Sequence, residues 1–441
     1  MAGCEAALQL ARRGVAVTLW EQRLAPPHRD SYGNAIPWSP AHETSLLGEL
    51  VCSNSLKSND PERAPGLLKE ELRRCGSALL AIADSCALPG GAALVVDRAL
   101  FAERVTEAVR AEPLITLRAG EFSGIDKEAL TLIASGPLTS GALWEELSAI
   151  AGGASSYFFD ATSPIVEAGG IDRAVAFAQS RYDKGEGDDY LNCPLNREQY
   201  LAFREALSAA ERYPLHPGEE YRLFEGCLPV EELAARGEDT LRFGPLKPKG
   251  LTDPATGRWP YAAVQLRYED TLRSALSLVG FQTRLRQGEQ ERVFRMIPGL
   301  AEARFLRYGR MHRNSYLDAP HVLMPTLQLQ GAPRVLVAGQ LTGLEGYLAA
   351  IATGCYAGLS AAWLARGEEP RLPPEGSCLR AMLDFMSNPA HKAYAPTAFQ
   401  FGMLSWLPER LRRAEKRELI ARRTGEAWAG MLELLSSFTG G

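Results

Sequence analysis

Short apolar runs alternate along the chain with glycine-rich breaks and with segments of helical spacing. Val335–Ala338 is an apolar run with β-branched residues, which predicts a strand buried on both faces. Three glycines then interrupt the chain: Gly339, Gly343 and Gly346. From Tyr347 onward Ala, Leu and Ile recur at helical spacing, and Gly354 and Gly358 share one face. A strand, glycine loop and helix in this order let backbone N–H groups approach a ligand, although any tight α/β crossover gives a similar pattern.

The N-terminal residues show a related pattern in the opposite order. Gly3 to Arg13 is an Ala/Leu-rich amphipathic segment, Val15–Trp20 reads as a strand, and Glu21 stands at its end. A helix that starts with small residues, a strand and then an acid form the latter part of a dinucleotide-binding fingerprint, with the acid placed for a ribose hydroxyl. Gly3 would be the last glycine of that fingerprint.

The remaining alternation predicts an α/β fold with an insertion. Leu67–Ala87 is expected to be one helix that exposes Lys69, Arg73 and Arg74, and Thr131–Ala134 a further buried strand. From about Ile165 the pattern changes: 183–194 reads as an acidic loop, while 262–266 and 276–280 read as neighbouring strands of an inserted α+β domain. We therefore predict a dinucleotide-binding domain formed by 1–165 and 325–441, interrupted by an inserted domain at 166–324.

Composition narrows the class of protein. The 441 residues are 46% hydrophobic, which is enough for two domains that each have a hydrophobic core. The net charge of −5 limits any nucleic-acid contact to a local basic patch. The first residues lack the charged-then-apolar layout of a signal peptide, and the sequence has no run of eighteen apolar residues, so no membrane association is expected. Eight cysteines without CxxC spacing indicate neither a metal site nor disulfides, and reduced thiols fit a cytoplasmic protein.

Several side chains are candidates for chemistry or binding. Cys52 precedes a polar turn and Cys227 precedes a proline and a helix start, although most such cysteines are buried core residues. Arg307–Tyr316 contains three arginines, two tyrosines and His312, a set typical of an anion- or ring-binding site rather than of a solvated loop. The predicted helix 407–423 has a basic surplus that is usually a solvated face and sometimes contacts phosphate.

Eleven stretches, in the same order, resemble the folate- and FAD-dependent tRNA uracil-C5 methyltransferases of the TrmFO family. The stretches are ELVCSNSL, GGAALVVDR, GPLTS, DATSPIV, DYLNCPL, CLPVEELAARG, FGPLKPKGL, LVGFQT, MIPGL, RYGRMHRNSYLDAP and AGQLTGLEGY. The resemblance implies a doubly wound, glutathione-reductase-like FAD-binding domain with an inserted α+β domain. It also implies C5-methylation of uridine 54 in the T-loop of tRNA, with carbon from 5,10-methylenetetrahydrofolate, reducing equivalents from FAD, and NADH or NADPH as reductant. No obligate protein partner is evident.

The same resemblance implies roles for individual residues. Cys52 and Cys227 match the catalytic pair, and we expect Cys227 to attack C6 of uracil while Cys52 abstracts a proton. This suits the chemistry, since a thiolate is a good nucleophile for conjugate addition. FAD would be held by seven positions: Gly3, Glu21, Gly339, Gln340, Gly343, Gly346 and Tyr347. His312 would stack on the folate pterin, and Arg313 and Lys247 are candidates for folate carboxylate or tRNA phosphate.

The chain departs from the family pattern at its first residues. The family begins with a strand and GxGxxG, whereas this sequence starts at Met1-Ala2-Gly3, which predicts either an upstream start codon or an incomplete pyrophosphate site. Three rival functions stay open at this point. The first is a longer wobble-uridine-modifying FAD protein of related scaffold, and the second is a truncated, non-catalytic tRNA-binding flavoprotein. The third is a plain flavin oxidoreductase that does not act on RNA.

Overall fold

The computed structural model describes residues 1–26, 28–29, 35–36, 39, 41–183, 185, 187–214, 222–408 and 410–438. The sequence also predicts a loop at 24–46, and nine of its residues lie outside this described part. The helices in these ranges are α1 (Ala2–Ala11), α2 (Ala64–Arg74), α3 (Ala78–Ser85), α4 (Arg98–Ala111), α5 (Gly141–Ile150), α6 (Arg197–Ala209), α7 (Val230–Ala235), α8 (Thr240–Phe243), α9 (Gln287–Phe294), α10 (Ala319–Val322), α11 (Tyr347–Ala365), α12 (Cys378–Met386) and α13 (Arg413–Ser436).

The strands are short, and several lie where apolar runs predict them. They are β1 (Val17–Glu21), β2 (His28–Arg29), β3 (Ala35–Ile36), β4 (Ser55–Ser58), β5 (Ala87–Leu88), β6 (Ala93–Val96), β7 (Ile115–Ala119), β8 (Thr131–Ile133), β9 (Ser155–Ala161), β10 (Ile165–Glu167), β11 (Phe177–Ala178), β12 (Tyr190–Leu195), β13 (Ala262–Tyr268), β14 (Ala275–Leu278), β15 (Phe305–Arg307), β16 (Met311–Leu317), β17 (Gln328–Leu329), β18 (Ala332–Val337), β19 (Leu344–Glu345) and β20 (Thr397–Ala398).

Two pairs of parallel strands, with the helices that cover them, form the first of two structural units, called here the first layer. Strand β1 pairs in parallel with β7, and β18 pairs in parallel with β8. Helices α1 and α11 pack closely beside them, because Gly354 and Gly358 carry no side chain: a Cβ on Gly354 would lie 2.4 Å from the Ala2 carbonyl oxygen. Parallel strands covered by helices confirm the α/β class.

A second layer is built from a separate sheet. Six antiparallel strands lie in the order β11-β12-β13-β14-β10-β15, with β13 and β14 adjacent as predicted. The buried side chains of residues 166–303 form one large apolar cluster around this sheet, distinct from the larger cluster of the first layer. The domain limits at 165/166 and 324/325 stay a prediction.

The segment 67–87 is not one helix, as the sequence predicted, but two. Gly76 has φ +73°, outside the helical region, and the Ser77 hydroxyl then caps α3 by accepting from the Leu80 N–H. Lys69 is also not on the outer face: its side chain has no exposed surface.

One further loop assignment was wrong, and one helix is displaced. The end of the expected acidic loop 183–194 is strand β12, whose Leu191 and Cys193 fill the core of the second sheet. The basic C-terminal helix starts at Arg413 rather than near Leu407. The stretch 307–316, predicted to bind an anion or a ring, lies largely on strand β16.

In the part of the chain that the structure describes, one helix, Tyr347–Ala365, is long and apolar enough to cross a membrane, with a mean hydropathy of 1.5 over its most apolar eighteen residues. The sequence predicts this helix, but it shows no unbroken apolar run of eighteen residues there because small and polar residues interrupt the run. Most of that window, 83%, is buried inside the protein, so α11 is the core helix of the first layer.

Candidate active site

Two distant thiols and a carboxylate meet where the two layers touch. The Sγ atoms of Cys52 and Cys227 and a carboxylate oxygen of Asp160 all lie within 4.8 Å of one another. All three residues are half-buried. The structure thus brings together the two cysteines that the sequence singled out, and it adds an acid that the sequence reasoning did not.

Cys52 is positioned by the irregular segment between Leu47 and β4. The Cys52 N–H donates to the Tyr347 hydroxyl oxygen over 2.7 Å, and its thiol faces the Ala161 carbonyl oxygen at 3.7 Å. Two residues on, Asn54 is fully buried and its amide donates to the carbonyls of Val96 and Tyr268. Because Tyr268 belongs to β13, this amide fixes the Cys52 segment to both layers.

Cys227 is positioned by a short 3₁₀ turn, Glu225–Cys227, that follows a strand-like contact with β9. Leu223 forms a parallel bridge with Phe159, the neighbour of Asp160. Gly226 then packs against the Phe224 ring, where an added Cβ would lie 2.6 Å from a ring carbon. This close turn directs Cys227 back toward Asp160.

The pKa values of Cys227 and of the two acids beside it, Asp160 and Glu345, are all raised. Burial raises the pKa of Asp160 to about 6, against hydrogen bonds from the Ala161 N–H and from Cys227. Burial, and then the Asp160 charge, raise the pKa of Glu345 to about 8, although the Gln340 amide donates to both of its oxygens at 2.7 and 2.8 Å. The pKa of Cys227 is raised, first by its hydrogen bond with Cys52 and then by burial and the Asp160 charge.

Cations surround the same group of side chains. Arg98 is paired with Glu269 at 2.7 Å, and although burial opposes its charge, Glu269, Tyr347 and Cys52 keep its pKa above the usual value. Lys57 interacts with the charges of Cys227 and Glu345, while burial lowers its pKa. The site therefore contains acids, cations and two thiols in one cleft, a combination common in catalytic centres.

His312 lies across from Asp160. Strands β9 and β16 are antiparallel, and His312 is the direct partner of Asp160 in the register, so both side chains project on the same face. Burial, with Arg307 and Arg310, lowers the pKa of His312 to about 4, which makes the ring neutral at pH 7. Its Nε2 is buried without a hydrogen-bond partner among the described residues. A neutral ring with an open nitrogen suits stacking on a flat ligand.

The predicted FAD positions fall into two groups. One group lies at the thiols: the Tyr347 hydroxyl holds Cys52, Gln340 holds Glu345, and Gly346 begins α11 at φ +96°. Gly343 lies against the Tyr394 ring, and an added Cβ would lie 2.3 Å from that ring. Gly339 lies farther along, where its added Cβ would be 3.1 Å from the Ala2 Cβ.

The other group lies at the ends of β1 and β8. Gly3 faces Ala134 and Leu19, so the start of α1 meets the end of the β8 strand. Glu21 ends β1, and its carboxylate accepts from the Arg23 guanidinium at 3.1 Å. Burial opposes the Glu21 charge, but Arg23 keeps its pKa below the usual value. The weaker candidates lie elsewhere: Arg313 stacks on the Tyr157 ring at 4.2 Å, and Lys247 lies in the second layer, where its carbonyl accepts from Arg181.

These positions fit a flavin dinucleotide. The first N–H groups of α1 have no acceptor within the helix and lie beside Gly339, and the N-terminal end of a helix favours an anion. An ionised carboxylate at Glu21 accepts more hydrogen bonds than Arg23 alone supplies, as a ribose requires.

Sequence reasoning missed Asp160, Glu345, Lys57 and Arg98. Each lies within or next to a stretch that carries the family resemblance: Asp160 in DATSPIV, Glu345 in AGQLTGLEGY, Arg98 in GGAALVVDR and Lys57 directly after ELVCSNSL. A charged residue inside an otherwise apolar or small-residue motif was the available signal.

Comparison with known proteins agrees with the geometry. A family model described as glucose inhibited division protein A matches residues 1–369. The chain is 50% identical to the methylenetetrahydrofolate--tRNA-(uracil-5-)-methyltransferase TrmFO of Moorella thermoacetica, over 97% of this chain and 95% of that protein. It is 49% identical to the protein of that name from Geobacter sulfurreducens, over 96% and 95%.

The fold is similar to solved structures of Aquifex aeolicus GidA in two crystal forms. Their TM-scores are 0.64 and 0.60 at 16% and 15% identity; they cover 88% of this chain, which spans 68% and 66% of theirs. These likenesses confirm the expected fold. Because the family match covers residues 1–369 and half of the aligned residues are identical in proteins of nearly the same length, the chain belongs to the glucose inhibited division protein A family, among its TrmFO members.

Proposed function

We propose that this protein methylates C5 of uridine in tRNA with carbon from 5,10-methylenetetrahydrofolate. The observation that carries the proposal is the meeting of Cys52, Cys227 and Asp160 within 4.8 Å of one another, beside the first turn of α11. The names of the half-identical relatives support the same reaction. Following the resemblance, we place the target at uridine 54 in the T-loop, take NADH or NADPH as reductant, and expect the enzyme to work in the cytoplasm.

The reaction needs two functional groups that thiols supply. C5 of uracil becomes nucleophilic once a thiolate adds to C6, because the electron pair moves from the C5–C6 bond toward O4. After the carbon is attached at C5, a base must take the C5 proton, and the C6–S bond then breaks to restore the ring. Two sulfur atoms within 4.8 Å of each other can reach neighbouring ring carbons of one base.

The charges around the two sulfurs favour exchanging the roles that the sequence suggested. Cys52 lies near the cation of Arg98, a neighbour that suits a sulfur nucleophile. Cys227 lies near the acids Asp160 and Glu345, which make its anion a stronger proton acceptor. We therefore assign C6 attack to Cys52 and removal of the C5 proton to Cys227.

The cofactors would occupy the neighbouring groups already described. Gly3 and Glu21 would hold the adenosine half of FAD, and Gly339 to Gly346 its pyrophosphate and flavin. His312 would stack on the folate, which supplies one carbon while the flavin supplies reducing equivalents. Around these groups the protein orients the base, excludes water and moves the C5 proton.

The proposed activity is tested with purified FAD-loaded protein, an unmodified tRNA transcript, methylenetetrahydrofolate and NADPH. Nucleoside mass spectrometry should detect one 5-methyluridine per tRNA, and none in a transcript with cytidine at position 54. Cys52→Ala and Cys227→Ala should each abolish methylation and keep the flavin absorbance. Product at another position, or full turnover by either variant, would contradict the proposal.

The division of roles is tested with tRNA that contains 5-fluorouridine. Fluorine blocks proton removal at C5, so a thiol that attacks C6 stays bound to the RNA. Cys227→Ala should still form this adduct, and Cys52→Ala should not. The opposite result would restore the sequence-based assignment.

A further inference from the structure

Arg267 is a buried arginine near the end of a fully buried strand. Every residue of β13 is buried, and Arg267 keeps only 9% of its surface exposed. Burying a guanidinium is unfavourable unless its N–H groups find acceptors inside the protein, because water no longer solvates the charge. The hydrogen-bond acceptors of Arg267 therefore show which part of the protein its burial stabilises.

Both acceptors lie in the turn that directly follows Cys52. Arg267 Nε donates to the Asn54 amide oxygen, and its Nη2 donates to the Ser53 hydroxyl oxygen, each over 2.7 Å. The two acceptors are neutral, and they are neighbours in a segment more than 200 residues away in sequence. A guanidinium donates in fixed directions within one plane, so this pair of bonds fixes the two residues relative to each other.

The other hydrogen bonds of Asn54 extend the same constraint into both layers. Its amide nitrogen donates to the Val96 carbonyl oxygen at 3.0 Å and to the Tyr268 carbonyl oxygen at 2.9 Å. With the guanidinium on its oxygen, the fully buried Asn54 side chain has partners for both of its N–H groups and for its acceptor. Removing the guanidinium would leave the Asn54 oxygen buried without that donor.

The same end of β13 also holds the chain on the other side of Cys52. Glu269, two residues after Arg267, pairs with Arg98 at 2.7 Å. The Arg98 guanidinium in turn donates to the Leu50 carbonyl oxygen. Leu50 precedes Cys52 and the Arg267 acceptors follow it, so the end of one strand of the inserted sheet holds the thiol-bearing segment from both sides.

We propose that Arg267 is a positioning residue for Cys52, through which the inserted sheet fixes the segment that carries this thiol. The inference rests on the proposed function, in which Cys52 attacks C6 of uracil. Attack requires the sulfur to be aligned with the ring carbon, and a misplacement of about 1 Å can lower the rate on the order of 100-fold. Arg267 acts only through Ser53 and Asn54 and forms no bond with the base.

The first test measures amide hydrogen exchange in the FAD-loaded protein without tRNA. Arg267→Met removes both hydrogen bonds and keeps a long side chain. Exchange in the peptide 50–56 should become about tenfold faster, because the segment opens more often. Arg295→Met is the matched control: Arg295 also donates two hydrogen bonds from one guanidinium, but to the Ala303 carbonyl oxygen of the second layer. This control should leave exchange at 50–56 unchanged.

The second test measures steady-state methylation of tRNA. Arg267→Met should lower kcat about 30-fold and leave KM for tRNA within about twofold of wild type, because the base still binds but the thiol is misplaced. Arg267→Lys keeps the charge without the planar arrangement of donors, so its kcat should stay about tenfold below wild type. Adding Ser53→Ala to Arg267→Met should lower kcat by less than about twofold more, because the bond between these two side chains is already absent.

Three results would each overturn the inference. They are unchanged exchange at 50–56 in Arg267→Met, wild-type kcat in Arg267→Lys, and losses that multiply fully in the double variant. If Arg267→Met does not fold, Ser53→Ala alone decides, because it removes one of the two bonds and keeps the guanidinium. It should speed exchange at 50–56 about threefold and lower kcat about fivefold, and wild-type values for both would overturn the inference.

The two proposals fail separately. If wild type does not methylate tRNA while Arg267→Met speeds exchange only at 50–56, the proposed function fails and the hold of Arg267 on the Cys52 segment stands. If wild type methylates tRNA and Arg267→Met has the same kcat, the function stands and Arg267 has no positioning role.

Discussion

The hydroxyl oxygen of Tyr347 accepts a hydrogen bond from the backbone N–H of Cys52 over 2.7 Å, across 295 residues of sequence. The first turn of the core helix α11 thereby fixes the segment that carries the first thiol. Ser53 N–H approaches the same oxygen at 3.4 Å, so one phenol holds two successive peptide groups. The end of the glycine loop at Tyr347 therefore determines the position of the Cys52 segment.

Tyr347→Phe should lower kcat about tenfold and leave the flavin bound. The change removes the acceptor of the Cys52 N–H, and an unsatisfied buried donor costs roughly 1–3 kcal/mol. Steady-state kinetics on tRNA measure the effect, with flavin absorbance as the control for cofactor binding. Tyr356→Phe on the same helix is a matched control, because its hydroxyl donates to the Arg371 carbonyl away from the thiols. Equal losses in both variants would contradict a specific role for Tyr347.

Replacement of His312 separates stacking from proton transfer. The pKa of His312 is lowered to about 4, mainly by burial, so its ring stays neutral from pH 6 to 9 and contributes no charge change there. His312→Phe keeps a flat ring, and His312→Ala removes it. The alanine variant should raise KM for methylenetetrahydrofolate roughly fivefold, the equivalent of about 1 kcal/mol of ring stacking. The phenylalanine variant should stay close to wild type, and a shifted pH profile in either variant would contradict this prediction.

Glu71 should make stability depend on pH. Its carboxylate accepts from the Cys378 and Leu379 N–H groups at 2.7 and 2.9 Å, which caps α12, yet burial raises its pKa from 4.5 to about 7. Between these two pH values the folded state binds more protons than the unfolded state. The contribution of Glu71 to the unfolding free energy is therefore complete below pH 4.5 and is lost as the pH rises through 7. The loss attributable to Glu71 should reach about 3 kcal/mol.

Urea unfolding of wild type and Glu71→Gln between pH 5 and 7.5 measures this contribution. The difference in unfolding free energy between the two proteins should change by about 2 kcal/mol over the range, because glutamine does not ionise. Parallel pH curves for the two proteins would show that Glu71 titrates near its ordinary value in the fold.

The contact between α1 and α11 should not tolerate a methyl group. An added Cβ on Gly358 would lie 2.9 Å from the Ala6 carbonyl oxygen and 2.7 Å from the Gln9 Cβ. Gly358→Ala should therefore destabilise the protein by about 1–3 kcal/mol, despite the better helix propensity of alanine. Gly425→Ala in α13 is the matched control, because nothing lies within 4 Å of its added Cβ, and it should be neutral or slightly stabilising. A Gly358→Ala variant as stable as wild type would contradict the packing.

Sequence patterns located many of the elements but few of the contacts. Hydrophobic periodicity placed β18, α11 and α1, because each packs with a regular face. It failed for 67–87, where Gly76 allows a positive φ that ends one helix and Ser77 starts the next. The prediction that Lys69 is exposed was also wrong. A lysine is normally exposed, and the sequence does not show that two backbone carbonyl oxygens accept hydrogen bonds from its buried amine.

The candidate site could be predicted only in part for the same reason. Cys52 and Cys227 were found through a resemblance, since neither sequence neighbourhood distinguishes a reactive thiol from a core cysteine. Asp160 reaches them through the bridge between Phe159 and Leu223, and no spacing rule encodes a contact between such distant segments. Spacing rules detect metal sites and disulfides whose residues lie close together in the sequence. They do not detect a cluster formed by residues from distant segments.

The packing of α1 on α11 also determines how late in synthesis the first layer can finish folding. The first helix rests its small residues against Gly354 and Gly358, which leave the ribosome only after the whole inserted layer has been made. At about 5–20 residues per second, the apolar face of α1 waits roughly 20–70 s for its partner. The inserted layer, whose core is drawn from residues 166–303, can close in that interval. The nascent chain therefore spends most of its synthesis with the side of α1 that faces α11 uncovered, which is a natural binding target for chaperones that recognise apolar segments.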